Sequence, residues 1–79
     1  MSYTIGNRVR IARLRAGRSR HWIATRLSAR FPCSPEYLED WVRMVENNDP
    51  FVRPMPQELE ILAGLLGCSA QYLLGKDDS

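Results

Sequence analysis

Residues 33–46, CSPEYLEDWVRMVE, decide the fold because they combine strong helix-start signals with a regular apolar stripe. Ser34 can cap the helix, Pro35 suits the first helical position, and Glu36 is favoured at the positive end of the helix dipole. Apolar residues then recur at intervals of three and four, as one buried helix face requires. These residues are Leu38, Trp41, Val42 and Val45. The stretch therefore predicts an amphipathic helix whose other, largely acidic face is offered to a partner.

Four further helices are predicted around this central one from apolar spacing and from terminal Ser, Pro and Gly residues. Their expected ranges are 4–15, 19–30, 56–66 and 70–74. Their expected inward residues are Ile5, Val9, Ala12, Ala16, Ile23, Ala24, Leu27, Phe31, Leu59, Leu62, Ala63 and Leu66. Since no segment has strand signals, the chain predicts one compact all-α domain over residues 1–79 that ends in a polar tail at 76–79.

The formal net charge of +2 conceals a strong asymmetry between the two parts of the chain. Residues 1–30 contain eight arginines and no acid, whereas residues 31–79 contain three cations and nine acids. The eight arginines are Arg8, Arg10, Arg13, Arg15, Arg18, Arg20, Arg26 and Arg30. A concentrated basic segment is the usual electrostatic footprint of phosphate binding. The alternative is that these arginines only solvate helix surfaces.

Several classes of function find no support in the sequence. His21 is the only histidine, and Cys33 and Cys68 lie far apart without a CxxC pair, so we expect no metal site and treat the thiols as small buried groups. There is no nucleophile elbow or phosphate loop, which argues against an enzyme and against a bound cofactor. Because no apolar run approaches the ~18 residues of a membrane helix and no signal peptide is evident, a cytoplasmic protein without membrane contact is expected.

Two ungapped segments carry a family resemblance. The first contains Ile5, Gly6, Val9, Arg13, Gly17, Ser19, Ile23 and Ala24. The second is LAGLLGCSAQYLLG at residues 62–75. Both resemble lambda-repressor-like helix-turn-helix proteins of the xenobiotic-response-element (XRE) or Cro type, and together they cover about half of the chain. The resemblance implies a five-helix domain with motif helices at 19–30 and 34–47. It also implies a sequence-specific regulator of transcription, of the bacterial or phage repressor type, that binds double-stranded DNA.

The resemblance also implies roles for individual residues. Phosphates would be bound around the start of the first motif helix, by Ser19, Arg20, Arg18, Arg26 and Arg30. Bases would be read from the second motif helix, by Pro35, Glu36, Glu39, Asp40 and Arg43. The last helix would form a symmetric dimer through Tyr72, Leu73 and Leu74, unless these residues close the core of the monomer.

The chain departs from the family pattern at several positions. The connection between the motif helices is longer, and either the recognition helix or the loop after it is lengthened. Arg20 stands where a glutamine is common. Val42 stands where a glutamate would pair with Arg13, and Glu46, one turn later, is a candidate to replace that glutamate. Arg13 is then expected in a structural ion pair rather than on DNA.

The acidity of the central helix leaves a second function open. Carboxylates facing DNA can accept hydrogen bonds from cytosine amino groups, and Arg43 can bind guanine. Alternatively, the acids only solvate the helix or pair with Arg26, Arg30 or Arg43. A different reading is that the acidic helix docks on a basic protein surface, which makes the domain a protein-interaction module. Trp22 and Trp41 fit core positions better than stacking platforms for single strands.

Overall fold

The computed structural model describes residues 4–76, which form five α-helices and no strand. The helices are α1 (Ile5–Ala16), α2 (Arg20–Ser28), α3 (Pro35–Glu46), α4 (Pro56–Leu66) and α5 (Ala70–Leu74). The predicted all-α class is confirmed. Of the predicted polar tail, Lys76 follows α5, while residues 77–79 lie outside the described part of the chain.

Side-chain hydroxyl groups begin four of the five helices. Each accepts a hydrogen bond from the backbone N–H three residues later, which satisfies one of the unpaired donors of a first helical turn. The capping residues are Thr4, Ser19, Ser34 and Ser69. At α4, Pro56 takes the first helical position and the Glu58 carboxylate accepts from the backbone N–H of Met55 at 2.6 Å. Local sequence signals therefore set the helix starts.

The second helix is shorter than predicted, because it ends at Ser28 rather than near Arg30. The backbone N–H groups of Arg30 and Phe31 both donate to the carbonyl of Leu27, which tightens the chain into a turn. Pro32 then disfavours helical geometry in the residue before it. The segment 29–34 consequently serves as the connection between α2 and α3.

The core is built from all five helices, with Ile23, Leu27, Leu59, Leu62 and Leu73 among its largest fully buried side chains. The α3 stripe behaves largely as predicted. Leu38, Val42 and Val45 are buried, whereas Trp41 packs half-buried at the edge. Phe31 is also half-buried. Ala16 was predicted inward and is exposed, since it is the last residue of α1.

Helix α3 packs against both α2 and α1, and α1 also contacts α4 and α5. This arrangement fixes which face of α3 is buried and which is turned to solvent. No helix within residues 4–76 combines the length and the apolar character required to span a bilayer.

Candidate nucleic-acid interface

The two helices predicted as the motif, α2 and α3, lie against each other, and the contact between His21 and Glu39 joins their exposed sides into one α2–α3 surface. On α3 the buried stripe leaves Glu36, Asp40 and Arg43 exposed, with Pro35 and Glu39 half-buried beside them. All five residues predicted to read bases therefore retain some solvent exposure. Their positions follow from the 3.6-residue helix period once Leu38 and Val42 are in the core.

A buried carboxylate, Glu46, ties the first three helices together. Its side chain is 1% exposed and accepts from Arg13 Nε at 2.6 Å and from Arg13 Nη2 at 3.2 Å. Arg20 Nε donates to the same carboxylate at 3.1 Å. Arg13 also donates from Nη1 to the carbonyl of Arg18 at 3.1 Å, which anchors the α1–α2 turn. The predicted pairing of Arg13 with Glu46 is confirmed.

Arg20 is partly exposed and is also bonded to a buried carboxylate, a combination that was not predicted from the sequence. It was predicted on phosphate, yet its guanidinium is bonded to Glu46 and about a third of its side chain, 35%, stays exposed. A charge-assisted contact with a buried carboxylate is stronger than one in water. The main contact of Arg20 is therefore structural, because it links α2 to the end of α3.

The guanidinium groups of two arginines stack on the ring of Trp22. The guanidinium carbon of Arg18 lies 4.1 Å from the ring centroid and that of Arg26 lies 5.0 Å from it, both within cation–π range. Within residues 4–76, no acidic side chain comes within ion-pair distance of either arginine. Ser19, His21 and Thr25 line a shallow groove of about 520 Å³ beside this cluster. Trp22 itself packs against the core, as predicted for that position.

The predicted phosphate contacts do not all gather at one place. Arg18, Ser19 and Arg26 lie together around Trp22, and Arg20 lies at Glu46. Arg30 instead lines a depression between α2 and α4, together with Arg26 and Glu60. Three of the five predicted residues thus form one cluster.

Helix α3 carries four acids, of which Glu46 lies in the buried cluster. Among the other three, Asp40 has a cationic neighbour and Glu39 has a histidine neighbour. Arg43 Nη2 donates to Asp40 Oδ1 at 2.8 Å across one helical turn, with both side chains more than half exposed. His21 Nδ1 lies 3.2 Å from Glu39 Oε1. The predicted pairing of α3 acids within the fold is confirmed for Asp40 with Arg43. Among the described residues Glu36 has no ion-pair partner.

Most of the arginines of residues 1–30 have no acidic partner among the residues that the structure describes. Of the eight arginines, only Arg13 and Arg20 form ion pairs with acids of residues 4–76. Arg18 and Arg26 lie together at Trp22. Arg8 lies at Tyr72 and Arg15 beside Gly67, so the remaining positive charge is spread over other sides of the molecule.

The last helix contributes to the core as well as to the surface. Leu73 is fully buried, whereas Leu74 is 40% exposed and Tyr72 is half-buried. Arg8 stacks on the Tyr72 ring at 5.3 Å and donates from Nη1 to the Tyr72 carbonyl at 3.3 Å. Leu73 closes the monomer core, so only Tyr72 and Leu74 offer surface for a dimer.

The cysteines are both free and half-buried. Burial raises the pKa of the Cys68 thiol, which disfavours its reactive thiolate form. Within residues 4–76 no three His, Cys, Asp or Glu side chains come together in a way that could hold a metal ion.

Comparison of the chain with models of known protein families, with curated proteins and with solved structures finds no match.

Proposed function

We propose that this protein is a sequence-specific regulator of transcription that binds double-stranded DNA through α2 and α3. The observation that carries the proposal is the Arg18–Trp22–Arg26 cluster, which extends along α2 from the residue before its N-cap to its last turn. The cluster borders the groove that His21 lines, and His21 contacts Glu39 of α3. In this arrangement α2 lies across the DNA backbone and α3 enters the major groove, as in helix-turn-helix proteins.

The cluster suits phosphate binding for two reasons. Stacking on Trp22 restricts both guanidinium groups, so less conformational entropy is lost when they engage an anion. The first turn of α2, capped by Ser19, adds the positive end of the helix dipole next to Arg18. A phosphate bound there would meet both the Arg18 guanidinium and the start of the helix.

Base reading would fall to the exposed residues of α3. The Asp40–Arg43 pair is solvent-exposed and spans one turn, and such pairs contribute at most about 1 kcal/mol, so it opens at little cost. Arg43 is then available for a guanine, and Asp40 for a cytosine amino group. While the pair is closed, Arg43 offsets the charge of Asp40, so the acidic helix approaches DNA with less repulsion than its sequence suggests.

We expect Arg18→Ala and Arg26→Ala each to weaken binding to all DNA sequences and to lower the slope of log affinity against log salt by about 1, because each removes one phosphate contact. Fluorescence anisotropy with random-sequence duplexes over a salt series measures both effects. Arg15→Ala is the matched control. It removes the same charge from an exposed position on the side of α1 that faces Gly67 and Cys68, and its slope should stay that of the wild type. Equal slopes for all four proteins would reject the phosphate cluster.

Replacing Arg43 tests base reading separately. Selection from a duplex library should give Arg43→Ala a motif that differs from the wild-type motif at one base pair, with about 1–3 kcal/mol of discrimination lost there. Thr25→Ala, an exposed change on α2, should leave the motif unchanged. An identical motif for Arg43→Ala and wild type would remove Arg43 from the interface.

A second function, docking of α3 onto a basic protein surface, is favoured by one observation. Tyr37 in the first turn of α3 is 57% exposed and Phe51, just past its end, is 94% exposed, so apolar anchors flank the acidic face. Salt-sensitive association with a partner or a second copy, measured by molecular size across a salt series without any affinity for DNA, would support this function instead.

A further inference from the structure

A small, partly enclosed pocket of about 160 Å³ lies where the connection 29–34, α3 and α4 meet. Three aromatic side chains line it, Phe31, Tyr37 and Trp41, with Pro32 and Cys33 from the connection and Glu58 from α4. It lies on a different part of α3 from Arg43 and Asp40 and plays no part in the proposed DNA contacts.

The pocket carries a single negative charge. Among the residues that the structure describes, Glu58 is the only charged one that lines it. The Glu58 carboxylate is held in place because its Oε1 accepts from the backbone N–H of Met55 at 2.6 Å. Aromatic rings present a negative face to a cation, and a fixed carboxylate adds to that attraction. The lining therefore complements a positive charge.

The volume and polarity of the pocket indicate which class of cation can bind in it. A cavity of roughly 150 Å³ accommodates a molecule the size of benzene, and a quaternary ammonium head is comparable. A primary ammonium or a guanidinium would bring three or more N–H donors into a mostly apolar space with one carboxylate, and unpaired buried donors are costly. A quaternary ammonium group has no N–H donor to satisfy.

We propose that this pocket binds the quaternary ammonium group of a small organic cation, by cation–π contacts with Phe31, Tyr37 and Trp41 and charge pairing with Glu58. The inference does not rest on DNA binding, because the pocket and the α2–α3 surface use different residues. Binding of the cation is measured without DNA, so its failure and the failure of the DNA proposal are distinguishable.

The test is isothermal titration of the full chain with choline and with tetramethylammonium, compared with 3,3-dimethylbutan-1-ol. This alcohol has the shape of choline but carries no charge. We expect both cations to bind and the neutral analogue to bind roughly tenfold more weakly than choline, since it lacks the cation–π and charge terms. Equal binding of choline and the alcohol would overturn the proposal, and so would the absence of binding by either cation.

Substitutions at two lining residues test whether choline binds in this pocket. Tyr37→Leu and Glu58→Gln should each weaken choline binding by about fivefold or more. The Glu58→Gln variant keeps an oxygen that can accept from the backbone N–H of Met55, and Tyr37 is largely exposed. Both variants should therefore keep the thermal unfolding midpoint of the wild type to within a few degrees. Phe51→Leu is the matched control, because it removes an exposed aromatic ring outside the pocket. Unchanged affinity in the first two variants, or equal loss in all three, would overturn the assignment.

Discussion

Glu46→Ala is expected to destabilise the protein by about 3–5 kcal/mol, because removing one partner of a buried ion pair leaves an uncompensated charge. Here the charge left behind is mainly Arg13, whose side chain is 11% exposed and which loses two hydrogen bonds at once. The free energy of unfolding of a domain this size is on the order of 4–12 kcal/mol, so the loss would be a large part of it. Urea unfolding followed by circular dichroism measures the change.

Three further substitutions test whether the destabilisation comes from the ion pairs of Glu46. Glu36→Ala removes an exposed acid from the same helix and should cost less than about 1 kcal/mol. Arg13→Ala should cost more than Arg20→Ala, because Arg13 is more buried and binds Glu46 through two nitrogens. A Glu46→Ala protein as stable as Glu36→Ala would show that this cluster does not hold the three helices together.

Gly6→Ala should also destabilise the protein, by about 1–3 kcal/mol, although alanine favours helices. A methyl group at position 6 would overlap the carbonyl oxygen of Val45 and the Oδ1 atom of Asn48. The Gly6 N–H donates to that same Oδ1 at 3.1 Å, so relieving the overlap would separate α1 from the end of α3 and break this bond. The backbone oxygen cannot move aside as a flexible side chain would.

Gly64→Ala is the matched control, with the opposite expected sign. Gly64 is exposed within α4, and an added methyl group there meets no atom within 4 Å. Removing a glycine from an open helical position should stabilise the protein by about 0.5–1 kcal/mol. Thermal unfolding of both variants gives the comparison. A stabilising Gly6→Ala would contradict the close contact between α1 and α3.

The features that follow local rules could be predicted from the sequence. Ser19, Ser34 and Ser69 were expected to start helices, and each accepts the capping hydrogen bond. Gly17 and Gly67 were expected to end helices, and each lies in the left-handed conformation that glycine adopts without strain. Such signals act within one helical turn, so they do not depend on how the helices pack against one another.

The features that depend on packing between helices were harder to predict. The contact between His21 and Glu39 joins residues that are distant in sequence, and only the packing of α2 on α3 brings them together. Arg20 was expected on phosphate because of its position after Ser19, but the same position places it against Glu46. Periodicity identifies which face of a helix is apolar, not which partner its polar residues meet.

The aromatic pocket illustrates the same limit. Phe31 and Trp41 were both expected in the core, and their half-burial becomes informative only once Glu58 of α4 is found to line the same pocket. Similarly, Trp22 was correctly expected at the core, while its two stacked arginines were seen only as separate charges. In both cases the chemistry of the site comes from residues that the fold brings together.

The most direct test of the central proposal is the anisotropy of a labelled random-sequence duplex titrated with the wild-type protein at low and moderate salt, followed by selection from a duplex library. The proposal predicts binding at low salt that falls steeply as salt rises, because several arginines displace counterions, and a defined motif after selection. Absence of binding even at low salt would contradict it, since Arg18 and Arg26 would then serve some purpose other than phosphate contact.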